Sequence, residues 1–556
     1  MGSKKVITES ADFKRLVSAG DFYVDKSLFI YELIEEKKFL SLITRPRRFG
    51  KTMNQRMLSA FFDRKENNRH LFEALELGNY PRILDEHCNK YPVIFLSFNH
   101  LEKVNYPAFQ TAVKNMMSDL YTIHEEILID LSPKDQTFFQ QVLDKSLEWD
   151  EYDLTLNKLQ NFLYRVYKKK VVILIDEYDV PLHSAYQHEF FEDALQFFKV
   201  FFVTTLKNDE HMIQLAVLTG CLKISKESLF TGVNNLIVYS VLSSRFGKYF
   251  GFTPLEVAKA LSEFGVDHRL EDLKAWYDGY RFGEEEIYNP WSVNRFLQEQ
   301  ETEFVPYWIH TASNDLLKKL IQKIDSEEFR KELGKLREGG VLEKQLDENI
   351  SFQELFSDDD MVYSFLVASG YLKATKISGK QNFKLEIPNR EIEQVFEKLL
   401  NSLLNDFIKK GKINTFIEAI MEGNLRTIEA ILHQALKTSS HFDLAKSYEE
   451  NAYHMFLLGI LFQYNDNFSL RSNRESGYGR YDLCVKERQG KRAAIIELKR
   501  ALFETDSLEE LAETALDQAI INEYKTDLIE DGYTMIQRYG IAFKGKECKI
   551  INQVIS

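Results

Sequence analysis

The chain is predicted to be a multidomain α/β protein: a parallel sheet carrying a phosphate-binding loop, followed by a smaller α/β domain near the C-terminus. Three observations predict this. Residues 38–44 are a short apolar strand that runs into Arg45-Pro46-Arg47-Arg48-Phe49-Gly50-Lys51-Thr52 and then into a helical pattern. An unbroken apolar run at 171–175 and similar, mostly apolar runs at 93–98 and 213–218 read as strands covered on both faces, as in a parallel sheet. Residues 481–485 and 493–499 read as the two strands of a hairpin with charged residues at one edge. A length of 556 residues fits roughly three or four domains.

Composition bounds the function classes. Hydrophobic residues make up 44% of the chain, with 42 Phe and 27 Tyr, enough to fill several cores; only 10 Pro argues against long disordered linkers. The net charge of −14 excludes a generically basic nucleic-acid coat. Cys88, Cys221, Cys484 and Cys548 lie far apart with no C-x-x-C, so neither a zinc site nor a disulfide framework is indicated. The N-terminus lacks an apolar signal core, and no apolar run is long enough to span a bilayer. The expectation is a soluble, cytoplasmic protein with no membrane partner.

Strand, tight loop, Gly-Lys-Thr and helix is the context of a P-loop. Backbone N–H groups and the helix N-terminus receive phosphate oxygens, Arg48 and Gly50 shape the loop, Lys51 reaches the β/γ-phosphates, and Thr52 offers a hydroxyl to Mg²⁺. Met57, Leu58, Phe61 and Phe62 share one face of the helix that follows. Arg45 stands where the first glycine of G-x-x-x-x-G-K-T would be; three arginines are expected to add positive charge beside the phosphates. The run Val171-Val172-Ile173-Leu174-Ile175 ends in Asp176-Glu177. Asp176 is placed to hold Mg²⁺ through water and Glu177 to polarise the attacking water. The strand at 213–218 ends in Thr219-Gly220, with Thr219 as γ-phosphate sensor.

Residues 226–345 read as a helical lid with aromatic-rich turns. Arg245 and Arg281 there are candidates for an arginine finger or lid sensor, with ordinary packing arginines as the alternative. A helix over 360–371, strands at 372–377 and 382–387 around Ser378-Gly379, and a helix from Glu391 read as a winged-helix-like module. Its turn carries Lys373, Lys376, Lys380 and Lys384, which either track phosphates or keep an edge hairpin soluble. Residues 400–445 read as linking helices.

At the C-terminal hairpin, Asp482 stands at the head of one strand, and Glu497 and Lys499 point the same way from the other, with Leu498 turned inward. Two carboxylates and an ammonium on one edge can hold Mg²⁺ or Mn²⁺ and orient a water, which phosphodiester hydrolysis requires. All three side chains are expected at a polar edge outside the core. Residues 471–500 hold nine Lys/Arg (Arg471, Arg474, Arg480, Lys486, Arg488, Lys491, Arg492, Lys499, Arg500) against four acids, a patch suited to a phosphate backbone. Glu449 or Glu450 could serve as an auxiliary acid, or simply complement a helix dipole. Gln518 and Tyr524, on a helix expected over 507–524, are further candidates.

Two resemblances follow from these residues. Phe22-Tyr23-Val24-Asp25-Lys26, the Arg-Pro-Arg-Arg-Phe-Gly-Lys-Thr loop, Ile175-Asp176-Glu177-Tyr178-Asp179-Val180-Pro181-Leu182, Tyr277-Asp278-Gly279-Tyr280-Arg281-Phe282 and Tyr288-Asn289-Pro290-Trp291-Ser292 closely resemble the AAA-ATPase-like family, in which a glycine-deficient loop is usual. The lead-in Glu475-Ser476-Gly477-Tyr478-Gly479-Arg480-Tyr481-Asp482, with Glu497 and Lys499, resembles the PD-(D/E)XK nuclease superfamily. The resemblances cover about 10–315 and about 445 to the end, and with the readings above they give a P-loop NTPase core (1–225), helical lid (226–345), winged-helix-like module (346–400), helical linker (401–445) and restriction-endonuclease-like domain (446–556). They imply ATP and Mg²⁺ as cofactors, nucleic acid (DNA ahead of RNA) as partner, and a homo-oligomer as a possible assembly. ATP hydrolysis coupled to Mg²⁺-dependent phosphodiester cleavage is the expected function. The alternative is an ATP-driven switch whose nuclease-like domain binds nucleic acid or a protein without cutting.

Overall fold

Apolar β-branched runs build the central sheet. In the computed structural model, β1 (Leu40–Thr44), β2 (Val93–Ser97), β3 (Val171–Asp176), β4 (Ile213–Gly220) and β5 (Ile237–Tyr239) pair in parallel in the order β2-β3-β4-β1-β5. The structure describes residues 4–555 except 9–10, 209, 225–228, 231–232, 234, 300–302, 309–328, 330–331, 334, 337–338, 350–358, 397–409, 439–452, 455–456, 458–460, 462–467, 477–478, 489, 504, 522–527, 530 and 546. Every residue of β1 and β3 is buried, and for β3 this is the two-sided cover that the unbroken apolar run 171–175 predicts. The Gly-Lys-Thr helix, Lys51–Phe62, packs its Met57, Leu58, Phe61 and Phe62 face inward.

The chain divides into two compact units, residues 1–324 with 339–395, and residues 325–338 with 396–556. In the first unit, the segment expected to be helical also contains strands. β5 joins the edge of the main sheet, and β6 (Tyr280–Phe282) and β7 (Glu285–Ile287) form an antiparallel hairpin beside the helices Pro254–Glu263, Leu270–Tyr277 and Pro290–Glu299. Strands of three residues are too short to show an alternating pattern, so composition alone concealed them. Next comes a three-stranded antiparallel sheet in the order β8 (Leu342–Gln345), β10 (Asn382–Glu386), β9 (Lys373–Lys376), with the helix Asp359–Ala368 between β8 and β9. Lys373 pairs with Glu386 and Lys380 with Glu343, so two of the four hairpin lysines are tied to the sheet itself.

The second unit is a mixed sheet, β11 (Phe468–Ser476), β12 (Gly479–Glu487), β13 (Arg492–Arg500), β14 (Met535–Lys544) and β15 (Glu547–Ile555), in chain order. Only β13 and β14 are parallel; the helix Leu508–Ile521 makes their crossover. It lies close to the sheet at Gly540, where a Cβ would come within 2.1 Å of the Ala512 carbonyl oxygen. The opposite face buries Leu483, Val485, Ala494, Ile496 and Leu498 against the helices Lys410–Glu422 and Leu425–Thr438. Among the described residues, no helix is long and apolar enough to cross a membrane.

Candidate functional site

The loop after β1 departs from a glycine-rich P-loop in a specific way. Arg45 does not add charge at the phosphates, contrary to expectation. Its side chain is fully buried and turned away into the unit. There Nη1 donates to the carbonyls of Thr44 (2.7 Å) and Tyr239 (2.8 Å), Nη2 donates to that of Arg245 (3.4 Å), and the guanidinium lies over the rings of Phe250 and Phe282. Burial pulls its pKa down to about 9, still above neutrality, and the carbonyl and aromatic partners suit a cation. Arg45 is thus a peg that ties the loop to the segment after β5. Phe49 is a second anchor, packed against Tyr280 and Phe282.

The rest of the loop faces a cavity of about 600 Å³ lined by Arg47, Arg48, Gly50, Lys51, Thr52 and Glu177, among others. Gly50 caps the helix with φ +81°, a left-handed conformation that glycine adopts without steric cost, and Arg48 is also left-handed at φ +71°. Lys51 Nζ donates to the loop carbonyls of Arg45 (2.9 Å) and Pro46 (2.8 Å). An ammonium held there sits at the mouth of the helix N-terminus, where a phosphate would meet both. The Arg48 guanidinium stacks 4.2 Å from the Trp291 ring centroid.

β3 and β4 complete this site. Asp176 Oδ2 accepts from the Thr52 hydroxyl and Oδ1 from that of Thr219, both at 2.6 Å. All three belong to one hydrogen-bonded chain, and Gln55 Nε2 extends it to Thr219 Oγ1 at 3.1 Å. Hydroxyl and carboxylate oxygens side by side next to a lysine-bearing loop form a donor set that fits Mg²⁺ with a phosphate. Glu177 follows in a left-handed conformation, φ +56°, and lines the cavity. Burial and the Asp176 carboxylate raise its pKa despite Lys51 and Arg47, which suits a group that draws a proton from water.

Sequence reasoning missed Asp179 and Gln55 as contributors, while Arg47 is one of the three loop arginines it expected beside the phosphates. Asp179 accepts from the backbone N–H groups of Cys221 and Leu222, both at 2.9 Å, clamping the ends of β3 and β4 together. Gln55 lies one helical turn after Lys51, a spacing that could have identified it. Arg47 lines the cavity, and although burial works against its charge, Cys221, Asp179, Glu177 and Glu102 hold its pKa up. Arg245 and Arg281 do not line the cavity. Arg245 pairs with Glu36 (2.7 Å) and Glu32 (3.8 Å), and Arg281 is exposed with Nε donating to the Gly283 carbonyl.

In the second unit, β12 and β13 pair from Leu483↔Ile496 to Lys486↔Ala493. Just beyond this ladder the Asp482 carboxylate takes the Leu498 N–H through Oδ2 at 2.9 Å, and His454 Nε2 lies 3.1 Å from the Asp482 carbonyl oxygen. Asp482, Glu497 and Lys499 share the face that carries Cys484 and Ile495. The exposed polar edge expected for them is corrected: Glu497 is only 2% exposed. It lies inside because the crossover helix covers this face. Burial and the Asp482 carboxylate push its pKa well above the carboxylate range, with Lys499 opposing.

Glu497 Oε1 is buried without a hydrogen-bond partner, an orphaned oxygen beside a second carboxylate. That arrangement fits a divalent cation, and Mg²⁺ commonly takes one or two carboxylates and keeps several waters. Among the described residues no group of three or more His, Cys, Asp or Glu side chains is placed to hold a metal. Glu449, Glu450 and Tyr524 lie outside the described residues; Gln518 is half-buried on the crossover helix. The positive patch is smaller than its residue count. Lys486 pairs with Asp531, and Arg492 with Glu487 and Glu418, while the side chains of Arg471, Arg474 and Arg480 lie outside the described set.

Residues 9–230 match the model of the AAA-ATPase-like family, described as a predicted AAA-ATPase, and residues 448–553 match that of the PD-(D/E)XK nuclease superfamily. The chain is also 27% identical over 404 residues to an uncharacterized protein in the vnfD 5′ region of Azotobacter chroococcum mcd 1, across 71% of this chain and 69% of that protein. The chain therefore joins an AAA-ATPase-like domain to a PD-(D/E)XK domain, which supports nucleotide-binding and nuclease-like function in general terms.

Proposed function

We propose that this protein binds and hydrolyses ATP at the Lys51–Asp176 site and cleaves nucleic acid phosphodiesters at the Asp482–Glu497–Lys499 site with Mg²⁺ or Mn²⁺. The observation that carries the nuclease reading is the buried, unpartnered Glu497 oxygen beside Asp482, on the same strand face as Lys499. Asp482 and Glu497 would hold the metal, which when bound supplies Lewis-acid polarisation of the phosphate and a more acidic water. Lys499 orients the phosphate and stabilises the charge that develops on it. At the other site Lys51 and the helix N-terminus bind the phosphates, Thr52 and Asp176 would hold Mg²⁺, and Glu177 orients water.

Calorimetric Mn²⁺ binding and cleavage of labelled DNA and RNA test the first half. Asp482→Asn keeps an acceptor for the Leu498 N–H, so the fold is retained while a charged ligand is lost. It should bind metal weakly and not cut. Lys499→Ala should keep the metal and lose rate by about a hundredfold or more, the scale of one transition-state charge contact. Lys51→Ala should abolish ATP hydrolysis, whereas Glu177→Gln should retain ATP and turn over slowly. Wild-type behaviour in all four variants would refute both site assignments.

A second reading, a switch whose nuclease-like domain binds without cutting, is favoured by one observation. The described residues offer the metal only two acidic ligands. Wild-type protein that binds nucleic acid with ATP and Mn²⁺ but never cleaves it would select this reading.

A further inference from the structure

Directly after Lys499 and Arg500, the chain leaves β13 through Ala501, whose N–H bonds the Phe543 carbonyl at 2.9 Å. The next two residues are large, apolar and turned to solvent: Leu502 is 68% exposed and Phe503 69%. Most large apolar residues in this unit are buried, so the pair stands out. The turn that presents them is well tied. Asp506 Oδ2 accepts from the N–H of Leu502 at 2.7 Å and of Phe503 at 2.9 Å, and the Asp506 N–H returns a bond to the Phe503 carbonyl at 3.1 Å. A carboxylate that closes the backbone on itself leaves the two side chains as the part of the turn with nothing to pack against.

Their position matters as much as their exposure. Phe503 lies four positions beyond Lys499 in the chain, a span of roughly 14 Å at most even when fully extended. They also follow the carboxyl end of β13, where it runs parallel to β14, and this edge carries Lys499, Arg500 and Lys544. The acids nearby are Asp506, occupied by the turn, Glu509 and Glu510 on the first turn of the following helix, with Glu509 paired to Lys549, and Glu547, opposite Lys544 in the β14–β15 register; Glu504 follows Phe503 in the sequence. Cations beside an apolar, aromatic surface complement a nucleotide strand, whose phosphates need charge and whose bases need a flat hydrophobic partner. In an intact duplex the base faces are stacked on one another and only their edges are accessible. Bases become available to Phe503 only where they are unpaired.

We infer that Leu502 and Phe503 form a base-stacking platform for unpaired nucleotides next to the phosphate being cut, so that the nuclease site acts on single-stranded or locally unpaired nucleic acid. The inference rests on the nuclease reading above and supplies its substrate class. Phe503 contributes the stacking face and Leu502 fills the space beside it, while Lys499 and Lys544 meet the backbone.

The test uses the full chain carrying Asp482→Asn to prevent cutting, with 2-aminopurine oligonucleotides as single strand, perfect duplex, and duplex with a short unpaired stretch. The parent should bind the single strand and the unpaired duplex at least tenfold more tightly than the perfect duplex, with quenching of the probe. Phe503→Ala should weaken the first two by roughly five- to a hundredfold, the effect of losing one base–aromatic stack, and leave perfect-duplex binding unchanged. Phe503→Trp should restore both affinity and quenching. The salt dependence should be the same in all three, because phosphate contacts are untouched. Unaltered affinity and quenching in Phe503→Ala would overturn the inference while leaving the nuclease reading intact. Failure of wild-type protein to bind or cut any nucleic acid with Mn²⁺ would overturn both. If Phe503→Ala instead converts a dimer to a monomer in sedimentation, the patch is covered by a second copy of the chain and the inference is wrong.

Discussion

Arg45 shows how one residue can hold the loop of a motif in place by turning away from its mouth. A glycine at that position would allow a tight turn; here the turn is held by a guanidinium that satisfies three carbonyl oxygens and lies over two rings. Arg45→Gly therefore restores the familiar motif and should nonetheless destabilise the first unit by about 3 kcal/mol. Buried carbonyls lose their donor and the loop loses its tie to Tyr239 and Arg245. Denaturant unfolding followed beside ATP affinity checks this. If Arg45→Gly unfolds at the wild-type midpoint, the peg has no structural role. Glu497 illustrates the other outcome at this scale. Its identity and strand face were readable from Glu-x-Lys on an apolar strand, but its burial was not, because the covering helix begins at Leu508, eleven residues further on.

Among the elements, the helix that restarts near residue 390 is joined to its unit by a buried acid. Glu391 accepts from the Trp308 N–H at 2.7 Å and from the Ser292 hydroxyl, and Trp308 Nε1 in turn donates to the Arg47 carbonyl in the P-loop. Burial raises the Glu391 pKa from 4.5 to about 8, with the Trp308 and Ser292 bonds opposing. An acid whose folded pKa is raised contributes stability that is complete below its unfolded pKa and is lost as pH rises through the folded one. Wild-type protein should therefore lose stability between about pH 5 and pH 9 relative to Glu391→Gln, by roughly a few kcal/mol. The amide keeps an oxygen for the Trp308 N–H and has no proton to lose. Asp278 is also raised, by burial and Glu286, but it titrates in both proteins and cancels in the difference. Parallel melting curves across this range would rule out Glu391 as the source. At this scale β1 to β4 of the first sheet, β12 and β13 of the second and the Gly-Lys-Thr helix were legible in advance, since each carries its pattern within a few consecutive residues, whereas β11, β14 and β15 were not read. β5 and the β6–β7 hairpin were not, because three-residue strands are selected by the neighbours they pair with.

Considered as a whole, the molecule places a nucleotide-binding motif and a nuclease-type carboxylate pair on one chain, within two separate units. If the first regulates the second, Glu177→Gln held with ATP should change the rate or product length of cleavage relative to the ADP and nucleotide-free states. Gel analysis of products in the three states gives the answer, and identical patterns would mean two independent activities. The division of information between sequence and fold follows the same lines. The amino-acid sequence by itself determined the α/β class, the loop that ends in Gly-Lys-Thr, the acid-terminated strand and the Asp482, Glu497 and Lys499 positions, because periodicity and motif spacing are properties of contiguous residues. The tertiary structure alone decided what those residues meet. Thr52 reaches Asp176 across 124 residues and Thr219 reaches it across 43, Arg45 turns inward to Tyr239 across 194, and Glu497 is enclosed by a helix. Hydrogen bonds and desolvation act between groups that are close in space, and only the folded chain defines which groups those are.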